Sequence, residues 1–164
     1  MRKMHGYTYI EILTAFAIIL LVGVVIAIFM NPAWQLRREY DVVREDAVRD
    51  YMEALLDLQL HDPDTFNPIL ESVSGERTMI GYGDSCVGDY GDACTDEVLS
   101  DTCVDLREQL ALVSLEQLPY DPREQYSELY TGYYLSYIEG VLEVGACNPE
   151  AHKEITLTKR FDWE

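Results

Sequence analysis

The sequence predicts an α+β protein, in which a long N-terminal helix is followed by a small antiparallel sheet. An uncharged apolar run occupies residues 12–30, and a stripe of apolar residues at helical spacing follows it. The C-terminal part alternates and is rich in Tyr, Val, Ile and Thr, which is typical of strands. At 164 residues, the chain is long enough for one domain and an anchor.

The apolar run predicts a retained transmembrane helix. Residues 12–30 would span roughly 28 Å as a helix, close to the thickness of a bilayer core. The run is longer than the apolar region of an ordinary secretory signal, and no A-x-A cleavage site follows it. We therefore expect a single-pass anchor in the cytoplasmic membrane.

The helix is expected to continue beyond the membrane, to about residue 60 and a total length of ~80 Å. Pro32 should kink it, and the sequence His61-Asp-Pro63 should end it. One stripe is predicted to pack on a globular head, with charged residues on the other side. The stripe consists of Tyr40, Val43, Ala47, Tyr51, Leu55 and Leu58. The charged residues are Arg37, Arg38, Glu45, Asp46, Arg49, Asp50 and Glu53.

The head should occupy residues 61–164. Residues 61–101 are interpreted as loop with a short strand at RTMIGYG, and a short helix is predicted over Val104–Leu112. Three strands follow in GYYLSYIEG, VLEVGAC and EITLTKRF, with the first turn at Glu139-Gly140. We expect an antiparallel meander that covers the apolar stripe on one face.

Four cysteines, all after the apolar run, indicate disulfides in an oxidising compartment. This places the head outside the cell membrane and the N-terminus in the cytoplasm. Of the three possible pairings, we predict Cys86 with Cys94 and Cys103 with Cys147. The alternative is four reduced, buried cysteines.

The formal net charge is −18, from 30 acidic and 12 basic side chains. Binding of nucleic acid is not expected, because no cluster of basic residues is present to neutralise phosphates. The aspartate-rich loop is either a solvated acidic loop or a calcium site, and no other cofactor is expected. Its candidate ligands are Asp84, Asp89, Asp92, Asp96 and Glu97.

The sequence offers no catalytic motif, and we expect no enzymatic activity. It contains neither H-E-x-x-H, G-x-S-x-G, a Walker loop nor G-x-G-x-x-G. The number of Asp and Glu residues would allow a carboxylate pair for glycoside hydrolysis, but nothing in the sequence singles out one pair. The tyrosine-rich stretch YSELYTGYYLSY is interpreted as core or subunit packing, with a surface-binding patch as the alternative.

Gly6, Tyr7, Thr8, Ile10 and Glu11 stand between a short basic segment and the apolar run. Together with that run they resemble the N-terminus of the type IV pilin and pseudopilin family, whose precursors carry a class III signal peptide with an N-terminal methylation motif. Tyr7 stands where the family usually has Phe, and Tyr9 stands where leucine is usual. The motif covers about 25 residues, and the head resembles the family only loosely.

The resemblance implies a subunit of a type IV pilus or of a type II secretion-like pseudopilus. A prepilin peptidase would cut after Gly6 and N-methylate Tyr7, and a membrane assembly platform would build a periplasmic or extracellular filament. The implied organisation is a leader (1–6), a transmembrane and polymerisation helix (7–31), an amphipathic helix (32–60) and a head with a disulfide loop and a three-stranded sheet (61–164). The implied partners are identical or related pilin subunits.

Glu11 has a physical role on this interpretation. Its carboxylate would pair with the cationic amine of Tyr7 in a neighbouring subunit, because the low dielectric of a filament core strengthens that attraction. The alternative is that Glu11 merely marks the interfacial end of a membrane helix. The alternative function is a monomeric, membrane-anchored binding domain outside the membrane, which predicts an uncleaved chain. A membrane-tethered hydrolase is the third hypothesis.

Overall fold

The structure, a computed structural model, describes residues 8–29, 32–83, 86, 100, 102–113, 115–152 and 154–161. The described elements comprise four helices and four strands, so the α+β class is confirmed. The helices are α1 (Tyr9–Phe29), α2 (Pro32–His61), α3 (Pro63–Ser72) and α4 (Arg107–Ala111). The strands are β1 (Thr78–Met79), β2 (Tyr133–Ile138), β3 (Val141–Ala146) and β4 (Thr156–Arg160).

The chain divides into two compact units, residues 1–36 and residues 37–164. In the first unit, α1 has 21 residues and none of them is buried. Its length of about 32 Å matches the bilayer core, and it is the described helix that is long and apolar enough to cross a membrane. The second unit is the head.

The strands form one antiparallel sheet in the order β1-β2-β3-β4. The three predicted strands and their meander are confirmed, whereas the predicted three-stranded sheet is wrong because β1 adds a fourth strand to β2. Ile138 pairs with Val141 across a two-residue turn. Both turn residues, Glu139 and Gly140, have positive φ (52° and 78°). This is the left-handed geometry of a type I′ hairpin, which suits the right-handed twist of the strands.

The apolar stripe of α2 packs into the head as predicted over most of the helix. Near the start of the helix, however, other residues than the predicted ones are buried. Ala47, Tyr51, Leu55 and Leu58 are buried as predicted, and the rings of Tyr51 and Tyr133 lie 5.7 Å apart. The prediction is wrong for Val43, which is 48 % exposed. Toward the start of α2, the buried row instead continues through Val48 to the charged residues Arg44 and Asp41.

The predicted loop over residues 61–101 is wrong at α3. Asp62 caps this helix, because its carboxylate accepts hydrogen bonds from the Thr65 N–H (3.2 Å) and the Thr65 hydroxyl (2.7 Å). Pro63 follows at the first helical position, where its missing N–H costs nothing. Phe66 and its apolar neighbours on α3 are buried in the core, which rewards helix formation in a turn-rich sequence. The short helix α4 lies inside the predicted range Val104–Leu112.

Gly145 accommodates an aromatic ring on the sheet face opposite the helix. Tyr134 pairs with Gly145 across β2 and β3, and a Cβ atom at residue 145 would overlap the Tyr134 ring. The Tyr134 hydroxyl donates to Glu143 (2.8 Å), while the Arg77 guanidinium lies 4.9 Å from the ring centroid. Tyr134 is consequently only 5 % exposed although it points away from the core.

We expect Gly145→Ala to lower the free energy of unfolding by about 1–3 kcal/mol, because the added methyl group overpacks against Tyr134. The measurement is urea unfolding of the detergent-solubilised full chain, made for Gly145→Ala, Tyr134→Leu and the double variant. The double variant should be more stable than the sum of the single effects indicates, since Tyr134→Leu removes the ring that clashes. Strict additivity would contradict the predicted packing.

Candidate functional site

The first turn of α1 holds the polar groups of the predicted assembly motif. The Glu11 carboxylate accepts a hydrogen bond from the Thr8 N–H (2.8 Å) and another from the Thr8 hydroxyl (2.9 Å). In return, the Glu11 N–H donates to the Thr8 hydroxyl oxygen (3.3 Å). This reciprocal pair is a capping box, in which Thr8 is the N-cap and Glu11 is the third helical residue.

The capping box gives Glu11 a role within a single chain. It satisfies N–H groups that have no helical partner at the start of α1, and it places a negative charge at the positive end of the helix dipole. The signal was present in the sequence as Thr8-x-x-Glu11, ahead of an apolar run. The predicted processing residues Gly6 and Tyr7 lie outside the described residues.

The rest of α1 is an exposed apolar surface. Its large side chains are 43–79 % exposed, and they lie on every side of the helix. Burial of such a surface in lipid or protein is strongly favourable, at about 25 cal/mol per Å². The helix therefore requires lipid or other apolar helices around it, with Glu11 at one end.

A second polar site lies in the head, around the fully buried guanidinium of Arg44. Its Nε and Nη2 donate to the two carboxylate oxygens of Asp121 at 2.6 and 3.1 Å. Its Nη1 donates to Asp41 (2.7 Å), and Nη2 also donates to Glu150 (3.2 Å). Such charge-assisted, bidentate geometry is the strongest class of protein hydrogen bond. This cluster was not predicted from the sequence.

Asp41 fixes the loop between β3 and β4. Its carboxylate accepts backbone N–H bonds from Glu150 (2.9 Å), Ala151 (2.6 Å) and His152 (2.8 Å). Burial opposes ionisation of Asp41, but these three bonds and the one from Arg44 outweigh it and lower the pKa to about 2. The same cluster raises the pKa of Arg44 above its usual value, despite its burial.

The spacing of residues along α2 could have revealed this cluster in the sequence. Asp41 and Arg44 continue the buried row of Val48, Tyr51 and Leu55 at spacings of three and four. Two opposite charges on the core side of an amphipathic helix indicate a buried ion pair, provided that other segments complete it. Its guanidinium and carboxylate groups bond to one another, so the cluster holds segments of the head together.

Both predicted disulfide pairings are wrong, because Cys86 is bonded to Cys103. Val104 lies beside β1, donating its N–H to Met79 (2.9 Å) and accepting from the Gly81 N–H (3.0 Å). This contact brings Cys103 next to the segment that follows β1. Cys147 is also disulfide-bonded, and Cys94 lies outside the described residues. The described cysteines are oxidised, as expected outside the cytoplasm.

The proposed calcium ligands Asp84, Asp89, Asp92 and Asp96 lie outside the described residues, as does Glu97. Within the described part of the chain, no group of three His, Cys, Asp or Glu side chains could hold a metal ion. The tyrosine-rich stretch contributes to the interior rather than to a surface patch. Tyr126, Tyr133 and Tyr134 are each at most 5 % exposed, and burial raises the pKa of all three hydroxyls.

No protein-family model, curated protein or solved structure shows significant similarity to this chain. The long apolar helix and the small antiparallel sheet are compatible with a pilin-like fold.

The shifted pKa of Asp41 predicts a component of acid unfolding. Because its pKa is about 2 in the folded head and near 3.9 in an unfolded chain, Asp41 contributes about 2–3 kcal/mol above the unfolded pKa. That contribution is lost as the pH falls through the folded pKa. We expect Asp41→Asn to flatten the decline of stability between pH 5 and pH 2, measured by urea unfolding at each pH.

Asp50→Asn is the matched control, because Asp50 lies on the exposed side of the same helix. It should leave the shape of the pH profile unchanged. Equal flattening by both variants would contradict a special role of Asp41.

Proposed function

We propose that the chain is a structural subunit of a type IV pilus or a type II secretion-like pseudopilus. A prepilin peptidase would cut after Gly6 and methylate Tyr7, and a membrane assembly platform would then draw the subunit into a filament of identical or related pilins. The subunit itself has no enzymatic role. Before assembly it is a single-pass protein of the cytoplasmic membrane, with the N-terminus in the cytoplasm and the head outside.

The observation that carries the proposal is Glu11 at the start of α1. It is the one charged side chain in a 21-residue apolar helix, and it lies five residues after Gly6, the residue at the end of the short basic leader. The first turn of a membrane anchor can be capped equally well by an uncharged glutamine, whereas a subunit with a free amine at Tyr7 gains from the charge of a carboxylate. Removal of Arg2 and Lys3 with the leader leaves 10 basic and 30 acidic side chains, a net charge of −20 before the new amino terminus is counted.

The exposed apolar surface of α1 supports the same proposal. A helix with apolar residues on every side can exchange lipid for identical helices without exposing apolar surface to water. Packing between such helices depends on shape and on the few polar groups present. The Glu11 carboxylate and the amine of Tyr7 would then set the axial register between neighbours.

Processing is tested by the intact mass of the protein from its native envelope, with sequencing of the N-terminal peptide. We expect a mature chain that begins at N-methylated Tyr7. An intact leader in cells with active prepilin peptidase would overturn the proposal, and a monomeric, membrane-anchored binding domain would replace it.

Substitutions at Glu11 separate assembly from helix capping. Glutamine at this position can still complete a capping box with Thr8, but it lacks the charge that would attract the amine. We expect Glu11→Gln and Glu11→Ala to reduce sheared filaments about tenfold or more, measured by quantitative immunoblotting against the membrane pool.

Thr8→Val is the matched control, since it removes the capping hydroxyl and keeps the carboxylate. It should assemble better than Glu11→Gln. Filaments of normal abundance and stagger from Glu11→Gln would show that capping alone explains this glutamate.

A further inference from the structure

Two cations at the end of β4 have no ionic partner in the described part of the chain. Lys159 and Arg160 are both exposed, and neither side chain forms an ion pair or a hydrogen bond with a described residue. Other basic side chains of the head do form ion pairs, among them Arg44, Arg49, Arg77, Arg107 and Arg123. With 30 acidic and 12 basic side chains in the chain, carboxylates are in excess. Two adjacent unneutralised cations are therefore unexpected.

These cations lie on an edge of the sheet. Among the described strands, β4 pairs with β3 and is the last strand in the sheet order. Lys159 is opposite Leu142 and Arg160 is opposite Val141, so the two side chains point to opposite faces of the sheet. Charged residues on an edge strand discourage the addition of another strand. Because the two long side chains flank the same sheet edge from its two faces, a partner that approaches this edge meets both charges, and it is expected to bind through charge rather than as an added strand.

The opposite charge lies on the outer side of α2. Asp46, Asp50, Glu53 and Asp57 follow one another at spacings of four, three and four, which places them in one row. Asp46 pairs with Arg49, and Asp57 pairs with His61. Asp50 and Glu53 are exposed and form no ion pair with a described residue. Like charges at this spacing repel, so a cation from outside would stabilise the helix.

We propose that the Lys159–Arg160 corner of one copy binds the Asp50–Glu53 row of α2 on a second copy. Local complementarity of charge argues for this partner, because the cation pair and the carboxylate row occur on the same chain and can meet when two copies lie side by side. The two patches lie on different elements, so the contact is heterologous, and its repetition gives an open filament or a ring. The inference rests on the proposed function and names one contact between heads.

The first test uses unmodified residues. A water-soluble carbodiimide joins a lysine amine to a carboxylate at ion-pair distance, forming an amide with loss of water. We expect peptides that join Lys159 to Asp50 or Glu53 from sheared filaments, within a covalent dimer on a denaturing gel. Detergent-solubilised monomer should not give them. Absence of these peptides from both the filament and membrane fractions would overturn the contact.

The second test exchanges the charges. Lys159→Glu with Arg160→Glu, and Asp50→Lys with Glu53→Lys, should each reduce filament yield about tenfold or more. The four substitutions together restore both the net charge and the complementarity, so their yield should return to within about threefold of the wild type. Thermal unfolding of each solubilised variant checks that the head remains folded.

The matched control is Glu71→Lys with Glu76→Lys, which makes the same charge change at exposed positions outside both patches. This variant should assemble like the wild type. Normal filaments from Lys159→Glu with Arg160→Glu would overturn the contact and leave the proposed function standing. A crosslinked dimer in membranes that never yield filaments would support the contact between heads and overturn the proposed function as a filament subunit.

Discussion

The head depends on one buried guanidinium. Arg44 on α2 bonds to Asp41 on its own helix, to Asp121 ahead of β2 and to Glu150 beyond β3. Asp121 and Glu150 lie 77 and 106 residues away in the sequence. Burying these charges costs several kcal/mol per ion, and the cost is offset only because the hydrogen bonds to the guanidinium are short and well oriented. Loss of Asp41 or Asp121 would leave a buried guanidinium nitrogen without its acceptor, so these contacts hold the segments in position together.

Because of this cluster, the two ends of α2 are held in the head by different interactions. Toward its C-terminal end the helix is held by apolar packing of Tyr51, Leu55 and Leu58, and near residue 41 it is held by charge. The polar end is directional, since each carboxylate must meet a particular nitrogen, whereas apolar packing tolerates small shifts. The ion cluster therefore fixes the rotation of α2 about its axis. That rotation leaves Val42 and Val43 exposed.

The two units satisfy their polar groups by different means. In α1 the backbone groups form hydrogen bonds within the helix, and the side chains of Thr8 and Glu11 accept hydrogen bonds from N–H groups of the first turn. The head instead uses long-range ion pairs and a disulfide from Cys86 to Cys103, which stabilises it by roughly 3 kcal/mol in the loop-entropy account. Most basic side chains of the head form ion pairs with carboxylates of the same head. The outer surface is left strongly acidic, and the cations at β4 stand out against it.

The sequence alone determined the features that depend on neighbouring residues. Composition over 19 residues predicted α1, spacing predicted the Tyr51–Leu58 face of α2, and Glu139-Gly140 predicted the hairpin turn. Asp62-Pro63 also carried a signal for the start of a helix, but the segment was interpreted as loop, because burial of Phe66 and its neighbours on α3 is a tertiary effect. Only the tertiary structure decided which cysteines pair and why Asp41 and Arg44 are buried. Those outcomes depend on Val104 lying beside β1 and on carboxylates far along the chain, and no local pattern encodes such contacts.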